Sequence, residues 1–319
     1  MLSIGDALRL VDTHLGDTPR ASHSLFVGRL MRGLAERVGG DPLPWELTGI
    51  CHDLDFEAVA GDWARHGLVS AEWLKDDLPP EALEAIRAHD HRTGIVSSTP
   101  IAHALKLADA VAISRDHIGT DLLLSLAAND DPEIVRRLND RPYLPAMLFA
   151  NAASLGVSLP ALARILTAAA LTIETVTPDT PGFADLRRRC SHEGHRMLER
   201  FEANWLDGSN RFNQLGEQAF GASLDGNLVA LCGRNRDPYD PSPRAGRVRH
   251  LYVDVKYRRL GIGRLMIDSV IDGAAEWFDH LNTNCPPEAA AFYERRGFVP
   301  IIADRTTHRL NLSRAKEQP

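Results

Sequence analysis

The 319-residue chain is short of three things, and each shortage excludes a class of protein. It has four cysteines, Cys51, Cys190, Cys232 and Cys285, widely spaced and without a CxxC pair. That excludes a disulfide-stapled scaffold and a cysteine metal knuckle. Although 44% of its residues are hydrophobic, no run approaches the roughly 20 apolar residues that a membrane span needs. A basic excess is missing too: the formal charge is -7 and the pI is near 6.0. Without surplus cations to displace counterions from a phosphate backbone, general nucleic-acid binding is not expected. Lysine is scarce, with Lys75, Lys106, Lys256 and Lys316 set against 32 arginines. The opening MLSIGDALRLVDTHLGD carries acids among its apolar residues and no basic region before an apolar run. A soluble, cytoplasmic protein is expected.

At this length one hydrophobic core usually gives way to two, so two domains of about 150 residues are expected. To about Leu171 the periodicity is helical. Thr18-Pro19 and Thr99-Pro100 each offer an N-cap followed by a first-turn proline, and Phe26, Leu30, Leu34 and Val38 recur at helical spacing. Further helices are expected from Trp45 to Cys51, His66 to Leu74, Glu81 to Ala88 and Pro100 to about Ser114. Beyond Leu171 the pattern becomes mixed. Leu171 to Val176 reads as a strand, and Phe183 to Trp205 as helical. Ala219 to Ser223 and Leu228 to Cys232 flank Asp225-Gly226, a strong hairpin signal. Gly233 to Gly246 reads as a loop, Val248 to Val255 as a strand and Glu288 to Arg296 as helical, with short strands near Leu281 and Val299. An all-α domain over 1–168 is therefore expected to precede an α/β domain over 169–319.

Eight of the thirteen histidines lie in the first 117 residues: His14, His23, His52, His66, His89, His91, His103 and His117. Imidazole and carboxylate together suit Mn, Fe, Zn, Mg or Ni, which the sequence does not distinguish, and a bound ion can generate hydroxide near neutral pH. His52-Asp53 ends an apolar helix, so it reads as a ligand pair in a cavity or as an ordinary helix C-cap. Asp109 follows Leu105 by one turn, where a carboxylate is costly unless paired or metal-bound. His23 is either a ligand or a residue of the capping region. The stretches SHSLFVGRLMRGLAERVG, ELTGICHDLDFE, EALEAIRAHDHR and HALKLADAVA resemble the HD superfamily of metal-dependent phosphohydrolases over roughly residues 15 to 115. The resemblance implies that His23, His52, Asp53 and Asp109 bind a first ion and that, in a two-metal member, Asp53 bridges to a second for which His66 and His89 are suitably placed; one ion or two is left open. His91 is left to substrate binding, proton transfer or solvent, and Arg20, Arg87 and Arg92 to phosphate or surface. Asp-Leu-Asp replaces the frequent Asp-Ile-Gly after His52, and no Gly-Tyr-Pro element is present, so cyclic-dinucleotide signalling is not expected.

A second motif is Val253-Asp-Val-Lys-Tyr-Arg258-Arg259-Leu260-Gly261-Ile262-Gly263-Arg264-Leu265. A strand, a basic glycine-rich turn and a helix start follow one another there. Free amides at a helix N-terminus bind anions, and glycines let phosphates approach; a simple tight turn is the plainer reading. With Ala289-Ala-Ala-Phe-Tyr-Glu-Arg-Arg-Gly-Phe298, this motif resembles the GNAT family of acyl-CoA-dependent N-acetyltransferases over roughly 170 to 313. The resemblance implies a mixed central sheet and a cradle of amides from about Leu260 to Leu265 for the pyrophosphate of acetyl-CoA. It also places Tyr293 where a hydroxyl protonates the departing thiolate, although Tyr293 also reads as a core aromatic. His250 stands where the family often uses a carboxylate base, and Cys285-Pro-Pro replaces a common asparagine.

The expectation is a bifunctional enzyme acting on a small phosphorylated metabolite or nucleotide and on a small-molecule amine. The alternatives are an acetyltransferase with a non-catalytic metal-binding regulatory domain, and a phosphohydrolase with an acyl-CoA sensor. The sequence leaves a homo-oligomer open.

Overall fold

The computed structural model describes residues 2–312 and divides between Ala170 and Leu171 into two compact units. The first is all helical: α1 (Ile4–Leu15), α2 (Pro19–Val38), α3 (Pro42–Cys51), α4 (Leu68–Trp73), α5 (Pro80–Ala88), α6 (Pro100–Ile118), α7 (Thr120–Ala128), α8 (Glu133–Arg137), α9 (Tyr143–Ser154) and α10 (Leu159–Ala170). The Thr-Pro signals act as read: Thr18 Oγ1 accepts from the Ala21 amide, and Thr99 Oγ1 from that of Ala102. Asp41 caps α3 in the same way, ahead of Pro42. Phe26, Leu30 and Leu34 of α2 are buried, with Leu47 of α3 and Leu105 of α6. The expected helix at His66 begins two residues later. Gly67, at φ +78°, interrupts the chain and leaves His66 at the end of a 3-10 turn over Trp63–Arg65.

Two glycines set how closely α2 and α3 approach. A Cβ on Gly49 would meet Gly28 Cα at 2.8 Å and Met31 Cγ at 2.8 Å, both too close to hold. Position 49 also matters to the site, because the Gly49 carbonyl accepts from His52.

The second unit carries β1 (Leu171–Thr175), α11 (Phe183–His192), α12 (Met197–Leu206), β2 (Gln218–Leu224), β3 (Asn227–Arg236), β4 (Ala245–Val253), α13 (Ile262–Ile271), β5 (His280–Thr283), α14 (Pro287–Glu294), β6 (Val299–Ala303) and β7 (Thr306–Asn311). The seven strands form one mixed sheet in the order β1-β2-β3-β4-β5-β7-β6, antiparallel except where β4 meets β5. Asp225 and Gly226 both take positive φ, 47° and 78°, the geometry that a two-residue hairpin between twisted strands requires. Phe183, Leu186 and Phe201 pack on Leu231 and Tyr252 in a buried cluster, and α13 packs against β2, β3 and β4.

The loop expected from Gly233 to Gly246 is shorter than read, since β3 runs to Arg236 and β4 starts at Ala245. Residues 228–235 of β3 are all buried, so both faces are covered and no polar alternation marks the strand. β7 was not anticipated for a similar reason: TTHRLN is polar, and its place comes from pairing with β5 and β6. Among the described residues no single helix is long and apolar enough to cross a membrane.

Overpacking a close helix contact costs about 1–3 kcal/mol. Gly49→Val is therefore expected to lower the thermal midpoint of the helical unit, measured by calorimetry. Gly5→Ala, where a Cβ meets nothing nearer than 3.8 Å, is expected to leave it unchanged or raise it.

Candidate functional site

In the helical unit the first turns of α2, the end of α3, the turn before α4, the end of α5 and the middle of α6 bring His23, His52, Asp53, His66, His89 and Asp109 together. Asp53 is buried at the centre. Its Oδ1 lies 3.3 Å from His52 Nε2, 3.0 Å from His66 Nε2 and 3.5 Å from His89 Nε2, and its Oδ2 lies 3.8 Å from His23 Nε2. His23 Nε2 is also 3.0 Å from Asp109 Oδ1.

The outer nitrogens decide what the inner ones offer. His52 Nδ1 donates to the Gly49 carbonyl at 2.7 Å, and His89 Nδ1 donates to that of Ile86 at 2.7 Å. A carbonyl only accepts, so both rings carry their proton on Nδ1 and turn Nε2 inward. Burial pushes His52 down to about 4, so at neutral pH its Nε2 is a bare lone pair. The Nε2 atoms of His23 and His52 are buried without a hydrogen-bond partner. An orphaned imidazole lone pair facing carboxylates is the donor set of a metal site, with outer nitrogens tied as metal-binding histidines tie them. Two overlapping groups, His23/His52/Asp109 and His52/Asp53/His89, each bring one ligand atom per residue within 4.8 Å of one another.

Charge is matched throughout the cluster. Burial opposes ionisation of Asp53, but His52, His66 and His89 hold its carboxyl well below the usual range. Burial likewise opposes protonation of His66, yet hydrogen bonds to Asp53 and Asp55 raise it to about 9. Asp55 is a residue that sequence reasoning noted only as a departure. Fully buried, it takes His66 Nδ1 at 2.8 Å and the amides of Gly67 and Ser70 at 2.8 and 3.0 Å. The second acid of His-Asp-Leu-Asp was the available signal, because an acid next to a ligand pair has reason to orient a further histidine.

Arg20 Nη1 donates to Asp53 Oδ2 at 2.8 Å, and its guanidinium stacks on Phe56 at 3.9 Å. Arg20 and His23 also line a cavity of about 300 Å³ with His117 and Arg141. Arg92 pairs with Asp90 over the Trp63 ring, and Arg87 is half-buried on α5. His91 is not brought to the cluster. Its side chain is 81% exposed on a 3-10 turn, with Nδ1 3.7 Å from Asp90.

In the sheet unit β4 and β5 pair only from Ala245 to Arg247 and then part. The gap is a cavity of about 500 Å³ lined by residues of β4 (including His250 and Leu251), by Thr283 to Pro286 and by Phe292 and Tyr293 of α14. Opposite Cys232, β4 bulges: Leu231 pairs with Tyr252 but Gly233 with Arg249, so His250 and Leu251 face one residue. His250 takes φ +58°, an unusual conformation for a non-glycine residue and one that concentrates at functional sites. Burial, with Arg249 and Arg200 nearby, pushes its imidazole down to about 3. Burial also raises the Tyr293 phenol beyond its ordinary range, so the hydroxyl keeps its proton.

After β4, Asp254 caps a 3-10 turn and Gly261, at φ +91°, opens α13 with no side-chain cap. The amides of the first turn thus lack helical acceptors. The Leu265 amide is the exception, since it donates to Gly261 O at 3.2 Å, and this narrows the expected cradle to the residues before it. Val253, at the end of β4, and Phe292 lie 3.9 and 3.5 Å from where a Cβ on Gly263 would sit. Phe292 thus joins the cradle to the cavity. Arg258 is engaged elsewhere, donating to Glu193 Oε2 at 2.5 Å and to the Val253 carbonyl. Arg259 takes φ +67°, Arg264 is exposed, Leu260 and Ile262 are buried.

The two units thus define an HD-type metal-binding module fused to a GNAT-fold, acetyltransferase-like module. Residues 20–113 match the HD domain profile and residues 216–300 match the acetyltransferase (GNAT) domain profile. A deoxyguanosinetriphosphate triphosphohydrolase-like protein of Corynebacterium efficiens is 42% identical over 53 residues, 16% of this chain and 12% of that protein. Among solved structures, a putative acetyltransferase from Exiguobacterium sp. 255-15 is 29% identical, covering 44% of this chain and 93% of its own at a TM-score of 0.40. The ribosomal-protein-S18-alanine N-acetyltransferase of Escherichia coli is 19% identical, covering 47% and 98% at a TM-score of 0.35.

Removing an outer partner of a metal-binding histidine typically costs about 10- to 100-fold in metal affinity. Asp55→Asn is expected to weaken divalent-metal binding by about that factor, read by metal titration of apo protein.

Proposed function

We propose that the chain is a bifunctional enzyme: a metal-dependent phosphohydrolase acting on a small phosphorylated metabolite or nucleotide, and an acetyl-CoA-dependent N-acetyltransferase acting on a small-molecule amine. The hydrolase reading rests on the inward, unpartnered Nε2 atoms of His23 and His52 beside Asp53 and Asp109. Those four residues would hold an ion, and His66 and His89, on the other side of Asp53, would offer donors to a second. When bound, a divalent ion supplies a Lewis acid for a phosphoryl oxygen and lowers the pKa of water toward neutrality. Arg20, on the cavity wall beside His23, orients the phosphate, its guanidinium held flat by Phe56. The name borne by the Corynebacterium efficiens protein supports a nucleotide substrate.

The transferase reading rests on the parted strands β4 and β5, with an uncapped helix start beside the gap. Acetyl-CoA, when bound, supplies the acyl thioester. The amides from Leu260 to Arg264 bind its pyrophosphate, helped by the positive end of α13, and the side-chain-free Gly263 leaves room in front of Phe292. Tyr293 keeps its proton for the departing thiolate. His250 is too weak a base at pH 7 to deprotonate the amine, and its part is to hold the bulge that shapes the cavity wall.

Asp53→Ala is expected to abolish phosphate release across a nucleotide and sugar-phosphate panel, and unchanged release would overturn the hydrolase reading. Gly263→Glu sets a carboxylate in the cradle without a backbone clash and is expected to abolish acetyl-CoA binding in calorimetry. Retained binding would overturn that cradle.

The proton roles separate in pH profiles. Tyr293→Phe is expected to lower kcat by about 10²- to 10⁴-fold. His250, lowered to about 3, is neutral throughout the working range. His250→Gln is therefore expected to leave the acid limb of kcat/KM at its wild-type pH, whereas a base at this position would take the limb with it.

A further inference from the structure

The cavity between β4 and β5 contains Arg200 of α12, Arg247 and Arg249 of β4 and Arg305 of the β6–β7 turn in its wall, and among the described residues lining it there is no carboxylate. In a chain of net charge -7, four guanidiniums around one cavity need a reason. Arg247 is matched internally: it donates to Asp237 at 3.1 Å and to Thr306 Oγ1 at 3.3 Å. Among the described residues, Arg200, Arg249 and Arg305 have no carboxylate within ion-pair distance. Arg305 lies over the Tyr239 ring at 4.9 Å and Arg247 over the same ring at 5.0 Å, so Tyr239 positions two of the four without neutralising either. Arg249 is half-buried, and burial and the charges of Arg247 and Arg200 oppose its own charge more than Asp237 favours it. Arg200 and Arg305 are exposed, and of the three only Arg249 is partly drawn from water; a half-buried guanidinium beside like charges is unfavourable, and an oxyanion with paired oxygens is the ligand that offsets it.

The phosphates of acetyl-CoA are not that ligand. Their cradle begins beyond Val253, which pairs with Ala230, whereas Arg249 and Arg247 pair with Gly233 and Asn235, about 10 and 17 Å back along the sheet at roughly 3.3 Å per residue. Tyr293 and Phe292 lie in the same cavity, which puts the arginines on the acceptor's side of the thioester.

Resting on the transferase reading above, we propose that the acceptor is an amine that also carries an oxyanion, a carboxylate or a phosphate, held by Arg249, Arg305 and Arg200. Polyamines and other purely cationic amines are excluded by the same field. The anion anchors the molecule so that its amine, not its charge, faces the acyl group.

The test is calorimetric titration of the CoA-saturated protein with matched amines: an α-amino acid against its amide, phosphoethanolamine against ethanolamine, and glucosamine 6-phosphate against glucosamine, with spermidine as the polycation. The anionic member of at least one pair is expected to bind about tenfold or more tightly than its partner. Which pair responds separates carboxylate from phosphate. Arg249→Gln with Arg305→Gln is expected to erase that preference while acetyl-CoA binding persists; Arg200→Gln with Arg305→Gln alters only exposed side chains and, should the first variant not fold, is expected to weaken the preference in the same direction. The proposal is overturned if no anionic member binds, if neutral members or spermidine bind as well, or if the variants keep the preference. It is overturned also if they lose instead a preference for succinyl-CoA over acetyl-CoA, which would assign the arginines to the acyl chain. Absence of wild-type acetyl-CoA binding would overturn the transferase reading itself, whereas normal acetyl-CoA binding without an anion preference overturns the acceptor proposal alone.

Discussion

A buried carboxylate is tolerated only where its charge is answered, and Asp53 imposes that requirement on the whole helical unit. Four imidazoles and one guanidinium converge on its two oxygens. Each convergence demands a backbone arrangement. α3 must stop at Cys51 so that His52 can turn back to Gly49, α5 must stop at Ala88 so that His89 can turn back to Ile86, and Gly67 must bend the chain so that His66 reaches both Asp53 and Asp55. The glycine contact between α2 and α3 brings His23 to the same point. Helix lengths, one glycine turn and one close helix pair are thus consequences of a single charge.

The sheet unit obeys a different constraint. A parallel pair of strands that stays paired has no room between its edges, so a cavity there requires β4 and β5 to part after Arg247. The bulge opposite Cys232 re-aims the end of β4 at the point where the pairing stops. It also carries a cost, since His250 is held at positive φ with a buried, unpartnered Nε2. The covered faces of β3 and the aromatic cluster around Phe201 supply the packing against which that strain is sustained.

Legibility followed locality. Thr18-Pro19, Thr99-Pro100 and Asp225-Gly226 act over two or three residues, and they could be read because their chemistry is complete within that span. His52-Asp53 and Gly261-Ile-Gly263 were readable for the same reason. β7 and the ends of β3 and β4 were not, because they are strands by virtue of partners far along the chain. His66 read as a ligand to a second ion and His91 as a group for substrate, proton transfer or solvent; a glycine bend buries the first, and a surface turn exposes the second. His250 reads as a base from its ordinary pKa, and burial with Arg249 and Arg200 nearby lowers that pKa, a shift that no short segment carries.

By itself, the sequence determined the two fold classes, the histidine and aspartate ligand types and the glycine-rich helix start, since periodicity, side-chain chemistry and turn preference are properties of short segments. Tertiary structure alone decided which nitrogen of each histidine faces inward, that Asp55 supports His66, that Arg258 is engaged by Glu193, and that arginines from three separate segments share one cavity whose described lining has no acid. Those are matters of distance and burial between residues remote in the chain, and protonation, pairing and field depend on distance and burial rather than on order.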